Sequence, residues 1–136
     1  MITLRLYKIL KQIIYKINIL NKNKIEIVKL WENASPTSAF AAQTLSIDLT
    51  NYDEVIIESL SGVSANASKY LTSVICPKGK ITTALAQAYT MRLRDFTVNM
   101  TNIVIGVGRD LGTNWSAVTD NSSAIPFRIY GIKGVL

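Results

Sequence analysis

Histidine is absent from the 136 residues, which removes the commonest general base and the commonest metal ligand. Any chemistry would have to come from Cys76 or from carboxylates. Cys76 is the lone cysteine. No histidine can activate it, no second cysteine can pair with it, and its place beside Pro77 after an apolar run suits a small buried hydrophobe. Asp48, Asp53, Glu54, Glu58, Asp95, Asp110 and Asp120 are scattered. Two meeting in space would make an acid/base pair, but no spacing asks for it. A calcium loop needs clustered Asp and Asn; Asp110, Asn114, Asp120 and Asn121 are spread too loosely. The run Gly106-Val107-Gly108-Arg109-Asp110-Leu111-Gly112 has the look of a phosphate loop, yet no amphipathic helix follows to hold a pyrophosphate at its N-terminus. A strand ending in a glycine turn accounts for it. No catalytic, cofactor-binding or metal-ligating residue is expected, and no cofactor.

Composition narrows the class further. Hydrophobic residues make up 49% and charged residues 18%, with a mean hydropathy of +0.23, so the chain is not disordered. The length fits one domain with a short appendage. The net charge of +6 sits in residues 1–30, where Arg5, Lys8, Lys11, Lys16, Lys22, Lys24 and Lys29 face Glu26 alone. The remaining residues are net neutral, so the body lacks the basic surface of a nucleic-acid-binding domain. Lys8, Lys11 and Lys16 interrupt the apolar N-terminal run, so neither a membrane span nor a secretory signal is expected. Five N-x-S/T sequons, at Asn33, Asn66, Asn99, Asn114 and Asn121, carry little weight without such a signal.

The elements that would position any functional surface fall into two parts, 1–23 and 24–136. Within 4–20, Leu6, Leu10, Ile13, Ile17 and Leu20 are spaced 4, 3, 4, 3, a coiled-coil seam about two heptads long. Ile9 and Ile14 widen the stripe, and Arg5, Lys8, Gln12, Lys16 and Lys22 lie opposite. Three uses compete for this helix: an oligomerisation stalk, packing on its own domain, or contact with a membrane surface. The heptad spacing favours the stalk, and the wide apolar stripe favours three strands over two.

From residue 24 the period becomes two. Strands are expected at 24–31, 44–50, 53–59, 69–76, 80–86, 90–98, 101–107 and 125–133, rich in Ile, Val, Thr and Tyr. Turn residues separate them, including Pro77-Lys78-Gly79 and Asn99-Met100-Thr101-Asn102. About eight short strands of this kind predict a mainly β fold, an antiparallel, jelly-roll-like β-sandwich after one short amphipathic helix. The alternation Met91-Arg92-Leu93-Arg94 places both arginines on one face, expected to be the solvated one. Residues 32–43, 60–68 and 108–124 read as loops. In the last, Trp115 is expected to fold back on the sandwich. The rival reading makes Trp115, Asn114 and Arg109 a surface contact, since aromatic and arginine side chains concentrate at interfaces.

The stretch from Trp31 to Asp53, WENASPTSAFAAQTLSIDLTNYD, and the C-terminal AIPFRIYGIKGVL resemble a module of tailed bacteriophages of gut bacteria. The resemblance covers about residues 28–136 and rests on structural residues, with no active-site positions to carry over. It implies a virion fibre or knob component, a short helical segment followed by a compact all-β domain, and a homotrimer. The function expected is a virion structural protein that is not an enzyme, made in the bacterial host cytoplasm. It would decorate the capsid as a head fibre, or less favourably join a tail fibre. Its partners would be capsid, portal or tail components, with host surface glycans as an adhesion target, and neither nucleic acid nor a membrane span. Two alternatives remain: a virion-associated glycan-degrading enzyme, and a peripheral membrane protein held by the basic helix.

Overall fold

The computed structural model describes residues 2–22, 24–87, 90–112 and 115–134. Helix α1 spans Ile2–Lys22, a stretch without proline or glycine, and Lys22 in its last turn complements the dipole. The heptad seam lies wholly within it. Every described side chain from residue 3 to residue 22 is exposed.

Among the described residues nine strands follow: β1 (Glu26–Glu32), β2 (Gln43–Ser46), β3 (Glu54–Gly62), β4 (Leu71–Cys76), β5 (Ile81–Gln87), β6 (Met91–Val98), β7 (Asn102–Asp110), β8 (Val118–Thr119) and β9 (Ser123–Lys133). Sheet A has the order β1-β9-β3-β4, and sheet B the order β2-β7-β6-β5 with β8 added on β7. All of these pairs are antiparallel. The first strand lies beside the last and the second beside the seventh, a nested arrangement closed by the β3–β4 hairpin and the β5–β6–β7 meander. The molecule is an antiparallel β-sandwich preceded by one helix.

Alternation builds the core between the sheets. Val55 and Ile57 of β3, Cys76 of β4, Phe96 and Val98 of β6, Ile103 and Ile105 of β7, and Ile125 and Ile129 of β9 are all buried. Each such aliphatic or aromatic side chain contributes about 1.5–3 kcal/mol by leaving water. Leu49 joins them although β2 stops at Ser46. The Ile47 amide donates to the Thr101 carbonyl at 3.2 Å and the Leu49 amide to Met100 at 2.8 Å, so the segment stays aligned beyond the strand. The expected turns form: Gly79 takes φ +71 after Pro77, and the Asn99 amide donates to the Asn102 carbonyl at 2.9 Å.

Three expectations need correction. The arginines of β6 do not face solvent: Arg94 is fully buried. Arg92 and Arg94 share parity with Phe96 and Val98, and in a strand that parity selects one face, here the core. The expected loop 108–124 is shorter, because β7 runs on to Asp110 and β8 pairs with it through Arg109–Thr119 and Asp110–Val118. Trp115 does not fold back; it is 74% exposed.

Candidate functional site

Two surfaces hold the residues singled out above. The first is α1. Leu6, Leu10, Ile13, Ile17 and Leu20 are exposed by 62, 53, 48, 49 and 70%, and Ile9 and Ile14 beside them by 45 and 49%. The helix brings all five seam residues to one stripe, as period 3.6 requires, and leaves that stripe uncovered. The opposite face carries Arg5, Lys8, Lys11, Lys16 and Lys22 with no acidic residue anywhere in the helix.

The second is the end of the sandwich where β6, β7 and β9 meet β8 and the residues 120–122 that follow it. Arg94 organises it from inside. Its Nε donates to the Ala124 carbonyl at 2.8 Å and Nη1 to Gly106 at 2.8 Å. Nη2 donates to Ser123 at 3.0 Å and to Asn121 at 3.4 Å. One guanidinium thus gathers four backbone carbonyls, the use its planar fork of donors suits best. Burial pushes the Arg94 guanidinium down to about 10 while Asp120 pulls it back up, so it is charged at neutral pH. Ala124 holds φ +48, a left-handed conformation costly for a residue with a Cβ, and the bonds to Ser123 and Ala124 hold that bend. Gly108 makes room: a Cβ there would run into the Asp120 carbonyl and the Arg94 guanidinium. Arg92 repeats the pattern one step along. It donates from Nη1 to the Ser61 carbonyl of the opposite sheet at 3.1 Å, approaches Asp110 at 3.5 Å, and lies where a Cβ on Gly62 would be.

Near this clamp stand Trp115, at φ +56, and Val118 of β8, 64% exposed. Arg109 is not free to reach outward: its Nη2 donates to Asp95 at 2.7 Å, and both side chains are partly exposed. Asn114 lies outside the described residues. Trp115 and Arg109 are therefore carried by the same strand-loop region, with Arg109 already engaged.

The carboxylates serve the fold. Asp110 accepts from the Gly112 amide at 2.9 Å and from the Thr90 hydroxyl at 2.9 Å. Burial would raise its pKa, but those bonds and Arg92 outweigh burial and hold it below the usual range. Asp120 accepts from the Ser122 amide and the Ser123 hydroxyl. Asp48 accepts from the Thr50 hydroxyl and amide, which lower its pKa. Glu32, lowered by Lys29 and Arg128, sits in a surface ladder that continues through Arg128 to Glu58. Among the described residues no group of three or more Cys, Asp or Glu side chains comes together in a way that would hold a metal ion. Cys76 is fully buried, and burial pushes its thiol up to about 11. Among the described residues no helix is long and apolar enough to cross a membrane.

Sequence reasoning missed Arg92 and Arg94. The signal was available in the shared parity of Arg92, Arg94, Phe96 and Val98. No protein-family model, curated protein or solved structure matches the chain.

Proposed function

We propose that the chain is a non-enzymatic structural component of a tailed-bacteriophage virion, a homotrimeric fibre or knob. In this reading α1 is the stalk and the sandwich is displayed outward, on the head in preference to the tail, where it can meet host glycans or other virion proteins. The observation that carries the reading is the uncovered seam Leu6, Leu10, Ile13, Ile17 and Leu20 on a helix whose described side chains are all exposed. The rest of the helix mixes its five cations with exposed Leu4, Tyr7, Tyr15 and Ile19, and an uncovered apolar stripe of that width favours a partner. Heptad spacing fits copies of itself. The use of acidic side chains to cap turns and balance arginines supports display over catalysis. Trimerisation also suits weak surface contacts, since three linked copies bind with avidity.

The seam does not suffice alone. A fully buried Leu or Ile contributes about 1.5–3 kcal/mol, and the five are about half exposed. Closing the stripe then contributes on the order of 4–7 kcal/mol per helix. Association costs about 4–15 kcal/mol. The β domain must therefore add contacts of its own. Light scattering of the full-length chain at micromolar concentration tests the reading. A mass of three chains is expected, and a monomer overturns it. Labelled antibody on intact particles would then distinguish head from tail.

A second reading has its own observation: α1 carries five cations and no anion, the pattern of a helix that lies on an anionic membrane. Flotation with vesicles of anionic lipid separates the two. Under the first reading the trimer stays unbound; co-flotation would assign α1 to lipid.

A further inference from the structure

The five cations of α1 have no counter-charge within the chain. Among the described residues every ion pair lies in the β domain, and Lys11 meets only the ring of Tyr7, 5.1 Å from its centroid. Their placement works against the helix. Arg5 lies in the first turn, at the positive end of the dipole, where no acidic residue offsets it. Arg5, Lys8 and Lys11 follow at spacing three, so like charges stack along the surface. At about 100° per residue, Arg5, Lys8, Lys11, Lys16 and Lys22 fill an arc of about 140° turned away from the seam.

Closing the seam on copies of the chain sharpens the conflict. Five cations per helix become fifteen on the outer surface of a trimeric stalk about 30 Å long. Neighbouring helices repel across such a surface, and an anionic surface laid against it removes that repulsion. Three kinds of anion could serve: nucleic acid, lipid and acidic protein. The same arc carries Leu4, Tyr15 and Ile19, exposed by 59, 69 and 40%. An open hollow of about 430 Å³ lies between Tyr15, Asn18, Ile19, Asn21 and Lys22. A phosphate backbone gives those apolar side chains nothing to pack on. A bilayer takes the wide seam itself, which the stalk has already buried, and three apolar side chains among five cations are too few to insert. A groove in an acidic protein supplies carboxylates for the cations and apolar side chains for the rest.

We propose that the outward arc of α1 seats in an acidic, partly apolar groove of another protein, while the seam holds the copies together. The proposal rests on α1 being a self-associating stalk. Fluorescence anisotropy of labelled probes tests it on the full-length chain at low salt. The probes are a random copolymer of glutamate and tyrosine, poly-L-glutamate, and duplex DNA of similar charge. The copolymer is expected to bind the trimer most tightly of the three, and less tightly as salt rises. Lys8→Gln with Lys11→Gln and Lys16→Gln should weaken it about tenfold or more. Tyr15→Ser with Ile19→Ser should bring the copolymer down to the affinity of poly-L-glutamate. Light scattering should give both variants the mass of three chains. A trimer that ignores the copolymer overturns this proposal and leaves the stalk standing; a wild-type monomer overturns both. Copolymer binding unchanged in either variant also overturns it. DNA bound at least as tightly as the copolymer assigns the arc to nucleic acid, flotation with anionic vesicles assigns it to lipid, and a variant that dissociates assigns it to the self-interface. Each of those three results overturns the proposal.

Discussion

The guanidinium of Arg94 stands over the ring of Phe40, 5.6 Å from its centroid. Phe40 in turn meets Trp31 edge-on, with ring centroids 6.0 Å apart, and its amide donates to the Asn121 carbonyl at 2.9 Å. A cation desolvated against an aromatic face and four carbonyls is well compensated. The segment from β1 to Phe40 is thereby tied to the loop that enters β9.

Removing that cation takes its donors from the carbonyls of Gly106, Ser123 and Ala124 and leaves the Asn121 carbonyl to the Phe40 amide. Arg94→Met is expected to destabilise the fold by about 3–5 kcal/mol. Arg94→Lys restores charge but not the planar fork, and should recover less than half of the loss. Urea unfolding followed by far-UV circular dichroism measures both. Wild-type stability in Arg94→Met would show that the clamp is dispensable.

Tyr52 packs flat against Gly131, and a Cβ at that glycine would enter the ring. Gly131→Ala should cost about 1–3 kcal/mol through overpacking. In a Tyr52→Ala background the same substitution should cost much less, since the clash partner is gone. A double-mutant cycle reads the coupling; additive effects would place the strain elsewhere.

Cys76 governs an alkaline response. Its folded thiol titrates near 11 against an ordinary 9.0, so above pH 9 the unfolded chain releases a proton that the folded chain keeps. The stability from this group is intact below about pH 9 and falls as pH rises toward 11, by on the order of 2 kcal/mol. Unfolding free energy measured across that range should decline less steeply in Cys76→Ala than in wild type. Equal slopes would contradict burial as the cause. A thiol reagent should also label native protein slowly and urea-unfolded protein at once.

Trp115 carries a bulky side chain at φ +56 in full view of solvent. Its removal should not weaken the core. Trp115→Gly is expected to raise stability by about 0.5–1 kcal/mol, because glycine takes positive φ without steric cost. Thermal unfolding checks this, and a loss of more than about 1 kcal/mol would mean that the indole packs on the sandwich after all.

Much of the architecture was legible in the sequence because two periods announce it. Leu6, Leu10, Ile13, Ile17 and Leu20 repeat at helical spacing, and every strand expected between 24 and 133 has its counterpart. The short β8 escaped because two residues, Val118 and Thr119, are too few to show alternation. The arginines were misplaced because a charge was weighed by type and not by position. Arg94 is an outward residue by composition and an inward one by parity with Phe96, and the carbonyls that accept it lie up to 30 residues away in sequence. No local pattern reveals such acceptors. Trp115 shows the reverse: its size suggested burial, while the turn that exposes it depends on the loop's own backbone.

β9 lies between β1 and β3 in sheet A. During synthesis β1 therefore has no neighbour to pair with, and Arg94 no Ser123 or Ala124 to grip, until residues 123–133 have left the ribosome. Folding must await residues 123–133 and close contacts of long sequence separation, which makes it slow. The waiting nascent chain, with the uncovered apolar stripe of α1 ahead of unpaired strands, is the species most at risk of aggregating.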